Sequence, residues 1–186
     1  MITPDTSFKS LGILSIIIVW GGLLFLLSKW RGDKSMSFSL HAAQTKSSKI
    51  YYFSLFLITI PLFYLFIIKW YVPSFDLPNI FTYFVTAGVL GQLIAVIVPA
   101  IKGRKEQIHN FGAYSMAFSM VPISVFIAFA DIPPPVRILT IVGIIYMIGA
   151  ILLFFYVKRT HSSYLYFQAA YIALFHAIII SSTYIR

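Results

Sequence analysis

The chain has 186 residues, of which 60% are hydrophobic, 18% aromatic and only 10% charged. A soluble domain carries roughly 25% charged residues, so this composition excludes an ordinary cytosolic enzyme. The absence of cysteine excludes disulfides, thiolate metal sites, iron–sulfur clusters and a cysteine nucleophile. The formal net charge of +9 has to be weighed as a sign either of nucleic-acid binding or of membrane topology.

Six stretches are long and apolar enough to cross a bilayer. A hydrocarbon core about 30 Å thick needs roughly 17–25 apolar residues in a helix. The predicted spans are about residues 11–27, 50–72, 80–101, 111–130, 136–157 and 164–185. Each must be helical, because an unpaired backbone amide costs several kcal/mol in hydrocarbon. The sequence therefore predicts an all-α, polytopic integral membrane protein, with residues 1–186 forming a single bundle of six transmembrane helices.

Proline residues punctuate these spans. Pro73 and Pro78 bracket the second connection, and Pro133, Pro134 and Pro135 precede the fifth span. Kinks are expected at three other prolines, Pro61, Pro99 and Pro122. The first span is expected to be retained rather than cleaved as a signal peptide, because no small-residue cleavage site follows it.

The basic residues predict an orientation. Ten lie in the first, third and fifth connections, namely Lys29, Arg31, Lys34, Lys46, Lys49, Lys102, Arg104, Lys105, Lys158 and Arg159. Four lie on the other side, namely Lys9, Lys69, Arg137 and Arg186. Because cytoplasmic loops are enriched in Lys and Arg, these three connections are predicted to be cytoplasmic and both termini outside. The positive charge is then mainly a topology signal with some affinity for anionic headgroups, and no nucleic-acid partner is expected.

No charged residue is expected near the middle of a span. All five acidic residues fall in connections or at span ends: Asp5, Asp33, Asp76, Glu106 and Asp131. Proton-coupled carriers depend on buried carboxylates or charged pairs, and a retinal protein needs a lysine deep in a helix. The sequence argues against both classes.

A face of small and polar residues runs along the third and fourth spans. Its members are Gly88, Gln92, Ala95 and Pro99 on the third span and Gly112, Ser115, Ser119 and Pro122 on the fourth. Small residues let helices approach closely, and Ser and Gln hydrogen-bond across such interfaces. The other interpretation is a polar intramembrane lining formed by Gln92, Ser115, Ser119, Gln168 and His176.

Three of the four histidines fall in connections on one side of the membrane. His41, His109 and His161 belong to the first, third and fifth connections. With Asp33 and Glu106 nearby they would suit a zinc site, but neither an HExxH nor an HxxxH pair occurs, so no metal and no cofactor is predicted. Histidines in hydrogen bonds or beside lipid phosphate are the favoured interpretation.

The fourth histidine, His176, lies deep in the sixth predicted span. It is expected to be a neutral packing residue hydrogen-bonded to Gln168 or Ser181. Bis-histidine haem ligation would need a second deep histidine opposite it, and the sequence has none.

A candidate polar site at the headgroup level surrounds the other histidines. Its residues are Ser37, Ser39, His41, Arg104, Lys105, His109 and His161. A Ser–His–Asp hydrolase stays open as an alternative, because several serines and Asp33 lie on the histidine side, although no GxSxG elbow occurs.

Two motifs resemble those of a known family. The third span ends in Val98-Pro99, and the fourth opens with Ile108-His109-Asn110-Phe111-Gly112-Ala113, with Phe118 and Pro122 further along. The stretch Ser37-Phe38-Ser39-Leu40-His41-Ala42-Ala43 precedes the second span. With six spans, this pattern resembles the Frag/DRAM/Sfk superfamily and its prokaryotic relatives of unknown function.

The resemblance implies a six-helix membrane protein with no established reaction in the prokaryotic members. The eukaryotic relatives are linked to lipid-anchor remodelling, lipid distribution and autophagy. By motif match, His109 is the family histidine and Ser37 or Ser39 the polar position before the second span. The chain departs from the family in having Lys102 and Arg104 where an acidic residue is often found. Family members are also often drawn with cytoplasmic termini, which is the reverse of the charge count here.

The leading hypothesis is a non-enzymatic membrane protein that binds lipid or assists membrane lipid organisation, with membrane lipids as its partners. The first alternative is a small-solute transporter or channel that acts as a homo-oligomer, with Gln92, Ser119 and His176 lining its path. The second alternative is a lipid-modifying enzyme that uses the interfacial histidines.

Overall fold

The computed structural model describes residues 4–101, 103–156 and 164–185, except for the side chains of 155 and 156. The helices are α1 (Lys9–Lys29), α2 (Phe38–Ala42), α3 (Lys46–Ser74), α4 (Asn79–Ile97), α5 (Arg104–Phe129), α6 (Pro134–Tyr156) and α7 (Tyr164–Tyr184). All except the short α2 are long and apolar enough to cross a membrane. The prediction of an all-α fold with six spans is confirmed, and the chain is a multi-pass integral membrane protein.

The second span is longer at both ends than the sequence predicts. It begins at Lys46 because the Thr45 hydroxyl accepts a hydrogen bond from the Ser48 amide at 3.0 Å, and the Ser48 hydroxyl accepts one from the Thr45 amide at 3.0 Å. This capping box satisfies two backbone donors at the start of the helix. A π-helical turn over Ile67–Tyr71 then carries α3 through Pro73 to Ser74, so Pro73 lies inside the last turn of the helix.

The third span is shorter than predicted, because Pro99 ends α4 instead of kinking it. The helix stops at Ile97, not at about residue 101, and Val98 has the extended dihedral angles φ −95° and ψ 112°. A proline disfavours the helical conformation of the residue before it, which explains the early end. Gly103 then adopts φ 101°, a conformation that favours glycine, and α5 begins at Arg104 rather than at about residue 111.

The closest helix packing joins α4 and α5. A Cβ atom built on Gly91 would lie 2.6 Å from the carbonyl oxygen of Gly112, and one built on Gly112 would lie 2.6 Å from the carbonyl oxygen of Gly91. The two backbones are therefore in direct contact, as the small residues on these spans suggest. Gly88 faces Ser119 near this crossing, where a Cβ atom would lie 3.2 Å from that of the serine.

The described connections fall at two opposite ends of the bundle. At one end, the Asp5 amide donates a hydrogen bond to the Lys69 carbonyl oxygen at 3.2 Å. At the same end, the Tyr184 hydroxyl donates one to the Lys9 carbonyl oxygen at 3.3 Å. At the other end, the Leu165 amide donates to the Lys34 carbonyl oxygen at 3.0 Å. The segments before α1 and after α7 thus share an end with the second connection, and the first connection shares the other end with the start of α7.

Candidate functional site

A cavity of about 260 Å³ lies between α5, α6 and α7, at the end of the bundle that holds the first connection. We call it the interfacial cavity. Its polar lining includes Ser35, Ser39, Glu106, His109 and Asn110. Its apolar lining includes Ala113, Ala117, Ile151, Phe154, Phe167 and Ile172. Along α5 the lining therefore changes from polar in the first two turns to mainly apolar in the next two.

A chain of hydrogen bonds crosses the polar end of this cavity. The Nδ1 atom of His109 lies 2.8 Å from the Val98 carbonyl oxygen, and its Nε2 atom lies 3.0 Å from the Ser39 hydroxyl. The Ser39 hydroxyl also lies 2.9 Å from that of Ser37, which accepts a hydrogen bond from the Leu40 amide at 3.2 Å.

The partners of His109 assign its tautomer. A carbonyl oxygen can only accept a hydrogen bond, so Nδ1 carries the proton. In the neutral ring Nε2 is then the acceptor, and the Ser39 hydroxyl donates to it. Because the hydroxyl proton of Ser39 is donated to the ring, Ser39 can only accept from Ser37, and the Ser37 hydroxyl is the donor. The hydrogen bonds all run in one direction, from Leu40 through the two serines to the ring.

Local sequence features place both ends of this chain. Ser37 is the N-cap of α2, and the single turn that follows brings Ser39 round to the cavity. Pro99 ends α4 and so leaves the Val98 carbonyl oxygen outside the helical ladder, where it accepts from His109. His109 is only 5% exposed, whereas Ser39 is half-buried and lines the cavity.

The remaining residues of the predicted headgroup site are placed differently. His41 is buried, its Nδ1 atom donates to the Ser37 carbonyl oxygen at 2.9 Å, and its ring packs against Gly32 rather than lining the cavity. Arg104 and Lys105 are exposed in the first turn of α5, one turn before His109. His161 lies outside the described residues, as do Lys102, Lys158 and Arg159 of the predicted basic connections.

A second, central cavity of about 140 Å³ lies deeper in the bundle, between α1, α3, α4, α5 and α7. Gln92, Ser119, Gln168 and His176 line it, together with mostly aliphatic and aromatic side chains. Ser115, the fifth residue of the predicted polar lining, lies instead against Gly91 in the contact between α4 and α5. The structure thus brings four of these five residues to one cavity.

The polar groups of the central cavity have partners inside the protein. His176 accepts a hydrogen bond on Nδ1 from the Trp20 indole at 3.0 Å, rather than pairing with the expected Gln168 or Ser181. The Ser119 hydroxyl donates to the Ser115 carbonyl oxygen at 2.7 Å. The bond between Trp20 and His176 joins α1 to α7, whereas the bond of Ser119 lies within α5.

Three side chains separate the two cavities, because Met116, Gln168 and Ile172 line both of them. Gln168 is held in place by the Phe38 amide, which donates to its Oε1 atom at 3.0 Å. This bond ties α2 to α7 beside the residues that the two cavities share.

No group of three His, Asp or Glu side chains able to hold a metal ion occurs within the described ranges. Comparison with family models, curated proteins and solved structures finds no match to this chain. The resemblance to the Frag/DRAM/Sfk superfamily therefore stays a prediction from the motifs around Ser39 and His109.

Sequence reasoning missed three features of this site. Trp20 was not identified as the partner of His176, although it is the only tryptophan within the first span. Gly91, the centre of the α4–α5 contact, lies beside the predicted small-residue face rather than on it. The direct bond between Ser39 and His109 joins residues 70 positions apart, and no local pattern signals such a pairing.

Proposed function

We propose that this protein binds a glycerophospholipid in the interfacial cavity, with the headgroup at the polar end and an acyl chain between α5, α6 and α7. The observation that carries the proposal is the order of the lining along α5. Glu106, His109 and Asn110 come first, at the end of the span, and Ala113 and Ala117 follow towards the membrane interior. An amphipathic ligand in a bilayer meets polarity in the same order.

The charges at the mouth of the cavity support a phosphate-bearing headgroup. Arg104 and Lys105 are exposed one turn before His109. Glu106 is the acidic residue in the same first turn of α5. Basic side chains at the membrane surface attract lipid phosphates, with about 1 kcal/mol per Lys or Arg. Glu106 also lines this end of the cavity.

The test is lipid retention after purification in a mild detergent. Ala113→Phe places a ring in the cavity and is expected to reduce the lipid that co-purifies with the protein, measured by native mass spectrometry and by extraction. Ala173→Phe is the matched control, because Ala173 is exposed on the outer face of α7. Equal lipid retention in the Ala113→Phe variant and the wild type would contradict binding in this cavity.

The proposal includes the orientation predicted by charge, in which the interfacial cavity opens on the cytoplasmic side. The native chain has no cysteine, so single cysteines report their side without background. In intact cells, a membrane-impermeant thiol reagent is expected to label Asn79→Cys, at the exposed start of α4, and not Ser47→Cys, at the exposed start of α3. The reverse pattern would place both termini in the cytoplasm.

A transport function has one observation in its favour, which is that Gln92, Ser119 and His176 line a common cavity. A polar solute entering a membrane needs groups that replace its hydration shell. The hydroxyl of Ser119 and the Nδ1 atom of His176 are already bonded inside the protein, and most of the lining is apolar. Lipid binding is therefore the function that the geometry supports best, with a homo-oligomer a further prediction of the transport hypothesis.

A further inference from the structure

The hydroxyl group of Ser39 has the surroundings of an activated nucleophile. Its proton is donated to Nε2 of His109 at 3.0 Å, and the opposite side of the ring is fixed by the Val98 carbonyl oxygen at 2.8 Å. A serine, a histidine and a third group that orients the histidine are the parts that nucleophilic acyl transfer requires. Here a backbone carbonyl takes the position that a carboxylate usually holds.

Both reactive groups face the place where a lipid would lie. Ser39 and His109 line the polar end of the interfacial cavity, where the proposed headgroup adjoins the acyl chains. In a glycerophospholipid the ester bonds are at this junction. With the headgroup bound as proposed, the hydroxyl of Ser39 would adjoin the ester carbonyls.

We propose that Ser39 is a nucleophile and His109 its general base in acyl transfer from a lipid ester, a reaction that rests on the proposed lipid binding in the interfacial cavity. Ser39 Oγ attacks the ester carbonyl carbon while its proton passes to Nε2 of His109. The bond between that carbon and the ester oxygen then breaks, and the leaving alcohol takes the proton from Nε2. Water or an acceptor alcohol, deprotonated by the same nitrogen, attacks the acyl group on Ser39 and restores the serine.

Ser37 acts as a positioning residue for this nucleophile. Its hydroxyl lies 2.9 Å from that of Ser39 and donates to it, so it stabilises the negative charge that develops on Ser39 Oγ during attack. Ser37 is only 8% exposed, and the Leu40 amide holds its oxygen at 3.2 Å. Ser39, and not Ser37, is hydrogen-bonded to the His109 ring, so Ser39 is the proposed nucleophile.

The first test uses an alkyl fluorophosphonate, whose phosphorus an activated serine oxygen attacks with loss of fluoride. Peptide mapping of the labelled full-length protein is expected to find the adduct on Ser39, with none in the Ser39→Ala variant. Ser47→Ala is the control, since Ser47 is exposed at the start of α3 and outside the cavity. A wild-type protein without an adduct on Ser39 would overturn the proposal.

His109→Asn separates general-base catalysis from a structural role. The asparagine amide nitrogen reaches about the position of Nδ1 and keeps the donor to Val98, but the variant lacks the acceptor for Ser39. A general base contributes roughly 10²–10⁴-fold, so labelling of Ser39 is expected to slow by about that factor. An unchanged labelling rate in the folded variant would remove His109 from the mechanism.

Ser39→Cys gives a second measurement in a chain without other thiols. An ordinary thiol has a pKa of about 8.5, and an adjacent histidine lowers it. The rate of alkylation by iodoacetamide is expected to reach half its maximum well below pH 8.5, and to return to that value when His109→Asn is added. A midpoint near 8.5 in the single variant would contradict activation by the ring.

The outcomes distinguish this reaction from lipid binding itself. Co-purified lipid that depends on Ala113, together with a Ser39 that neither labels nor shows a lowered thiol pKa, overturns the acyl transfer and keeps the binding. Labelling of Ser39 in a protein whose lipid content is unaffected by Ala113→Phe keeps the nucleophile and overturns the proposed lipid position.

Discussion

The two sides of α5 differ in how closely they are packed, and the difference falls within a single turn. On one side, Gly112 brings the backbone of α5 against that of α4, with no space for even a methyl group. On the other side, Ala113 borders the interfacial cavity of about 260 Å³. Adjacent residues in the chain thus face a backbone-to-backbone helix contact and the interfacial cavity.

The difference indicates how the site keeps its shape around a space. A cavity loses packing contacts on its lining, so the walls need support from elsewhere. Contact between the backbones at Gly91 and Gly112 supplies that support on one side of α5. The first turns of the same helix carry His109, so the contact also fixes the ring relative to Val98 at the end of α4.

The largest effect is expected from Gly112→Leu. Its Cβ atom would lie 2.6 Å from the Gly91 carbonyl oxygen and 2.9 Å from the Ala95 amide nitrogen, and neither backbone atom can move aside alone. Overpacking typically costs about 1–3 kcal/mol, and a clash with backbone belongs at the upper end of that range. Thermal unfolding in detergent measures the loss. Wild-type stability in this variant would show that the two helices are not in contact.

A smaller effect on stability is expected when leucine is introduced at the next residue, in the Ala113→Leu variant. The added carbon atoms enter the interfacial cavity, so the free energy of unfolding should change by no more than about 1 kcal/mol. Lipid retention should fall, though less than with Ala113→Phe. A loss of stability equal to that of Gly112→Leu would mean that both sides of α5 are closely packed.

The smallest effect is expected from Tyr171→Phe, on the wall opposite α5. The Tyr171 hydroxyl donates to the Ala117 carbonyl oxygen at 2.6 Å and ties α7 to α5 across the cavity. Hydrogen bonds between membrane helices average about 0.6 kcal/mol in double-mutant measurements. Tyr166→Phe is the control, because Tyr166 is 55% exposed. Equal unfolding temperatures for the two variants would show that this bond does not support the wall.

The spans were predictable because hydropathy and helix length are local properties. The end of α4 was also predictable from local reasoning, since a proline acts on the residue before it, but the sequence analysis predicts a kink at Pro99 inside a longer helix, and that prediction is wrong. Gly91 was not predictable from spacing alone, because the rotation of a helix relative to its neighbour is set by packing. The partner of a small-residue face is decided only when both helices are present.

Only part of the candidate site was predictable, since Ser37, Ser39 and His109 line the interfacial cavity and His41 does not. The topology placed Ser39 and His109 on one side of the membrane, and the family motifs included both residues. His109 bonds the Ser39 hydroxyl, whereas His41 bonds the backbone carbonyl oxygen of Ser37. This choice depended on the turn of α2 and on the Val98 carbonyl oxygen that Pro99 leaves outside the helix. Trp20 and His176 meet between the first and last spans, and that pairing follows from the closure of the whole bundle.

The wall formed by Met116, Gln168 and Ile172 has a consequence for the proposed lipid ligand. Met116 lies seven residues beyond His109, which is about 10 Å along α5 at the rise of an α-helix. In the proposed complex, a short acyl chain held at Ser39 would end at this wall, whereas a longer one would have to displace the flexible methionine to enter the central cavity of about 140 Å³. If acyl transfer takes place as proposed, this wall is expected to discriminate between acyl chains by their length.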